Sequence, residues 1–161
     1  MIYPSRPSYL SPHTLTNYGL AFLLTAAGLL LYHALAILPH LEVDYTASVA
    51  YFDSSFWGPV APLMYYLVLF LMGVSLLLRT RYTTLVLSFY TLLLTEAFVL
   101  VFLGWTALPF PRIPALLLFG CTLAALYLLF VRGISGRQFD QFIAGGLVSV
   151  LFNLLLLWYL S

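Results

Sequence analysis

Long apolar runs alternate along the chain with short polar or proline-rich connections. An α-helix rises 1.5 Å per residue, so about 20 apolar residues cross a hydrocarbon core roughly 30 Å thick. Five runs meet that requirement, at about residues 18–38, 58–78, 82–107, 114–131 and 140–160. The first is preceded by a proline-rich segment in which Ser11-Pro12 reads as an N-cap followed by proline at the first helical position. The first seventeen residues are too polar for a cleavable signal peptide. Arg79-Thr80-Arg81 leaves room only for a tight turn, which makes spans two and three antiparallel neighbours. Residues 108–114 form a stiff proline connection, and Arg132 to Arg137 a flexible basic turn. Trp158 and Tyr159 close the last span as an interfacial aromatic pair.

The longest polar connection, residues 39–58, carries Glu42, Asp44 and Asp53 and no arginine. Within it Tyr45, Val49, Phe52 and Phe56 recur at i, i+4, i+7 and i+11. That spacing predicts a short helix over about 45–56 lying in the membrane interface. The expected fold is therefore an all-α integral membrane protein, one transmembrane domain over residues 1–161. It is a bundle of five helices with the interfacial helix in its first outer loop.

Composition agrees: 63% of the residues are hydrophobic and 7% charged, against about 25% charged in soluble domains. Net charge is +1, so no basic field points to nucleic acid. The arginines instead set the orientation. With the N-terminus inside, the inner segments hold Arg6, Arg79, Arg81, Arg132 and Arg137, and the outer ones only Arg112. That bias predicts N-in, C-out in a cell (inner or plasma) membrane.

Candidate chemistry centres on the third run, YTTLVLSFYTLLLTEAFVLVFLGWTA. Glu96 is the only acidic side chain within the apolar runs apart from Asp140 at the edge of the fifth. Intramembrane charge costs roughly 2.5 to 3.5 kcal/mol on insertion scales, so a carboxylate there requires partners. Thr84, Ser88, Thr91 and Thr95 form a hydroxyl stripe at i, i+4, i+7 and i+11, read as a packing seam with a polar pathway as the rarer option. Glu96, one residue past Thr95, is turned by about 100° onto a different face.

Taking each run's centre as the midplane, Glu96 lies roughly 3 Å outward, Asn153 roughly 4 Å, Tyr65 and Tyr66 roughly 3 to 5 Å and His33 roughly 7 Å. These residues form a candidate intramembrane polar cluster, in which His33 and Glu96 could share a proton. Small-residue pairs Gly120/Ala124 and Gly145/Ser149 read as close helix contacts. The lone Cys121 reads as a small buried hydrophobe. His33 and His40 flank Pro39 and make a poor metal site, a single deep histidine does not hold haem, and no cofactor is expected.

No catalytic motif occurs, which points away from an enzyme. The chain reads as a small structural or accessory subunit of a membrane complex, partnered by the bilayer and by other membrane subunits or its own copies. The competing reading is a ligand-binding or proton-coupled membrane protein built on the Glu96 cluster, either a small transporter or a lipid- or quinone-binding enzyme. A third option, a homo-oligomeric channel, would be lined by the hydroxyl stripe.

Overall fold

Each apolar run forms one α-helix in the computed structural model, which describes residues 11–37, 54–104, 111–132 and 136–160. The elements are α1 (Pro12–Ile37), α2 (Ser54–Leu78), α3 (Thr83–Phe102), α4 (Arg112–Arg132) and α5 (Gly136–Leu160). The described residues contain no strand, and all five helices are long and apolar enough to cross a membrane. The helix expected over about 45–56 lies outside the described residues, except that Ser54 to Phe56 begin α2.

Local chemistry sets the ends. Ser11 caps α1, its hydroxyl accepting from the Thr14 N–H at 3.2 Å, so the helix begins well before the apolar run that it carries. Helix α2 ends in a left-handed residue, Arg79 at φ 49°, and the Thr80 N–H bonds back to the Ser75 carbonyl at 3.3 Å. This is a Schellman closure with arginine where glycine is usual, at a cost of about 1 kcal/mol. The Thr83 hydroxyl then donates to the carbonyls of Thr80 and Ser75, fastening the start of α3 to the end of α2. Helix α3 stops at Phe102, short of Ala107, because Gly104 takes φ 74° and turns the chain out of the helix.

Helices α1, α2, α3 and α4 contact one another in a ring, and α5 lies outside it against α3, touching α2 at its margin. The buried interior runs through Phe22, Ala26 and Leu29 of α1, Tyr66, Leu69 and Met72 of α2, Leu87, Tyr90 and Leu94 of α3, and Leu118, Ala125 and Leu128 of α4. In lipid these side chains gain little by leaving one apolar medium for another, so close approach and polar contacts must hold the helices.

The antiparallel α1–α2 contact supplies close approach at Gly19 and Gly73. A Cβ at Gly73 would lie 2.8 Å from the Leu23 nitrogen and 2.9 Å from the Gly19 carbonyl oxygen, both backbone atoms that cannot swing aside. Gly120, by contrast, is exposed, and a Cβ there would meet nothing within 4 Å. Gly73→Ala should therefore force the two helices apart and destabilise the bundle by about 1 to 3 kcal/mol. Gly120→Ala should leave it unchanged. Thermal unfolding of the two purified variants in the same detergent measures the difference.

Candidate functional site

The contact between α3 and α5 is built from one line of residues on each helix. On α5, Gln141, Gly145, Ser149 and Asn153 repeat every four residues and so share one ridge. Gln141 Nε2 donates to the Arg81 carbonyl at 3.1 Å. A Cβ on Gly145 would collide with Ser88 Oγ and lie 2.9 Å from the Leu85 carbonyl oxygen, so only glycine permits this approach. Gly146 lies against Leu92, and the rings of Phe89 and Phe152 meet edge to face with centroids 6.3 Å apart. Ser149 and Asn153 then reach Glu96. The pairs advance together along both helices, so α3 and α5 run parallel and in register.

At the end of this ladder both carboxylate oxygens of Glu96 are engaged. Ser149 Oγ donates to Oε1 and Asn153 Nδ2 to Oε2, each at 2.9 Å. The Asn153 amide also donates to the Leu93 carbonyl at 3.0 Å, and its Oδ1 accepts from the Tyr65 hydroxyl at 3.4 Å. Both amide protons and the amide oxygen are thus in use, which ties α3, α5 and α2 together at one level. Asn153 and Tyr65 are buried, whereas Glu96 is half-buried at the flank of the bundle.

Among the side chains expected in the polar layer, the structure brings Glu96, Asn153 and Tyr65 into one hydrogen-bonded group. Tyr66, turned about 100° around α2 from Tyr65, faces the other way. Its ring meets the buried imidazole of His33 edge-on, with centroids 5.8 Å apart. His33 belongs to the α1–α2 contact, and among the described residues α1 makes no helix contact with α3 or α5. Ser149 was legible only as half of a small-residue pair. Its role as a donor to Glu96 follows from its place in the four-residue repeat with Asn153.

The hydroxyl stripe runs beside the line that meets α5 and shares Ser88 with it, the residue that lies against Gly145. Thr84, Ser88 and Thr91 are buried. Ser88 donates to Leu85 O at 2.9 Å, Thr91 to Leu87 O at 2.7 Å and Thr95 to Thr91 O at 2.7 Å. These protons are committed to their own helix, the usual arrangement for such side chains in lipid. Cys121 is half-buried on α4. Among the described residues no three His, Cys, Asp or Glu side chains converge as metal ligands.

No family model, curated protein or solved structure matches the chain. Its chemistry rests on the geometry alone.

That geometry accommodates Glu96 with or without a proton. Ser149 has a single hydroxyl proton and two acceptors in reach, Glu96 Oε1 and the Gly146 carbonyl at 2.8 Å. When Glu96 is ionised, the Ser149 proton can serve the carboxylate. When Glu96 is neutral, its own proton can go from Oε1 to Ser149 Oγ while Ser149 donates to Gly146. Asn153 donates to Oε2 in both states.

Glu96→Gln can copy the neutral arrangement, its amide oxygen accepting from Asn153 and its NH2 donating to Ser149. This variant should keep its stability within about 0.6 kcal/mol, the typical worth of one intramembrane hydrogen bond. Glu96→Leu cannot, and leaves the Asn153 donor without its carboxylate partner. Its expected cost is about 1 to 3 kcal/mol. Reversible unfolding of both variants in mixed micelles checks the ordering.

Proposed function

We propose that this chain is a structural or accessory subunit of a larger membrane assembly, without a catalytic role of its own. The observation that carries this reading is the engagement of Glu96. The one acidic group deep in the apolar runs has both oxygens engaged by side chains of α5, and serves to fasten an outer helix to the bundle. A second support is the broad apolar exterior, with Leu35, Phe102, Ile113, Leu116 and Phe130 each at least 70% exposed, a surface for lipid and neighbouring subunits. The arginine bias supports an N-in, C-out orientation in a cell membrane.

A second reading draws on the partial exposure of Glu96 and on a Ser149 hydroxyl that has two acceptors within reach, so that the hydrogen bonding suits either form of the carboxyl group. In it the protein is proton-coupled, or binds a polar head group such as that of a lipid or quinone at this level. Glu96→Gln separates the two, because it keeps the hydrogen bonds and removes the carboxyl group. A folded Glu96→Gln protein that fully restores the phenotype of a deletion supports the structural role. A folded protein that fails to restore it supports the proton- or ligand-coupled role.

Purification at native expression level in a mild detergent tests the subunit reading. The expected result is migration in a complex of fixed stoichiometry, with other membrane proteins or with copies of itself. Migration as a lone monomer contradicts it. Orientation is open to single-cysteine labelling in a Cys121→Ala background. A membrane-impermeant maleimide applied to intact cells should reach a cysteine at Ser161 and not one at Ser5, and the reverse pattern would invert the topology.

A further inference from the structure

One end of the bundle carries four of the five arginines among the described residues. The helix order brings the start of α1, the end of α2, the start of α3, the end of α4 and the start of α5 to this end. Arg79 and Arg81 occupy the α2–α3 turn, Arg132 is the last residue of α4, and Arg137 lies in the first turn of α5. Asp140 is the one acidic residue among the described residues at this end, and the opposite end of the described helices carries Arg112 as its arginine.

The α2–α3 turn is fastened on several sides. Thr83 holds it from within through the carbonyls of Ser75 and Thr80. Arg79 Nη2 reaches Thr16 Oγ1 on α1 at 3.5 Å, and the Arg81 carbonyl accepts from Gln141 on α5. Both arginines are exposed, and the Arg81 guanidinium sits 4.7 Å from the centre of the exposed Tyr82 ring. An arginine stacked on an interfacial tyrosine keeps its outer N–H groups turned toward water and head groups while its inner face rests on an apolar ring. His13 and Thr16, both exposed in the first turns of α1, add polar side chains beside it.

We propose that this end of the bundle is a binding surface for anionic phospholipid head groups, with Arg79 and Arg81 as its fixed centre. Guanidinium groups meet phosphate oxygens through paired N–H donors, and a turn held at four points presents them with little loss of conformational freedom on binding. The surface lies where phosphates lie, at the ends of spans and beside an interfacial tyrosine. Its charge matches an anionic lipid whichever side of the membrane it faces. Each arginine close to an anionic surface contributes about fivefold in association.

The test uses the full chain, delipidated in mild detergent and given equal amounts of phosphatidylglycerol and phosphatidylcholine, with retained lipid counted by native mass spectrometry. The expected result is several-fold preferential retention of phosphatidylglycerol. It should fall toward the phosphatidylcholine level in Arg79→Gln/Arg81→Gln and stay in Arg112→Gln, which removes the same kind of charge at the other end. Should the double variant fail to fold, judged by its thermal midpoint, the single variants Arg79→Gln and Arg81→Gln carry the same comparison. Equal retention of the two lipids by the wild-type chain, or a loss in Arg112→Gln as large as in the arginine-end variants, overturns the proposal.

Discussion

The structure depends on a carboxylate that apolar surroundings do not tolerate alone. Glu96 meets its requirement for donors in Ser149 and Asn153, both on α5, and in doing so gives the outer helix a fixed partner, direction and height. Helix α5 carries Gln141, Ser149 and Asn153 along its length. The polar residues that weaken it as a lipid-facing segment include those that bind it to α3. In water such a helix would be held by burial of an apolar stripe. In lipid that force is absent, and a line of small and hydrogen-bonding residues takes its place.

Both tight helix contacts in the molecule follow this logic in different proportions. The α1–α2 pair relies on approach, with Gly19 and Gly73 bringing backbone against backbone. The α3–α5 pair combines approach at Gly145 with hydrogen bonds above and below it, from Gln141 to Arg81 and from Ser149 and Asn153 to Glu96. Between them α2 shares its two tyrosines, Tyr65 toward Asn153 and Tyr66 toward His33. The polar side chains at this depth therefore belong to two adjoining groups, joined through the backbone of α2.

The five spans were legible from hydropathy and length, and so was the capping of α1 at Ser11. The partners of each helix were not. A span apolar on every side carries no face that names its neighbour, so a depth estimate could set Glu96, Asn153 and Tyr65 at one level without saying which would touch. It set His33 at a similar level too, and only the helix arrangement assigns that imidazole to α2. One signal in the chain did carry the α5 contact: Gln141, Gly145, Ser149 and Asn153 at four-residue spacing. Read as a whole it marks a polar ridge, whereas Gly145 and Ser149 taken alone mark only a close approach. The end of α3 was set by backbone geometry at Gly104 rather than by where the apolar residues stop.

The central claim is that the Glu96 carboxylate docks α5 on α3 in parallel register. Leu92 and Gly146 face each other across that contact, a Cβ at 146 lying 3.0 Å from Leu92 Cδ1. Paired cysteines at these positions, in a Cys121→Ala background, report the docking directly as disulfide yield in native membranes. The account predicts a high yield with Glu96 present and a marked loss when Glu96→Leu is added. A yield unchanged by Glu96→Leu would show that α5 docks without the carboxylate and would contradict it.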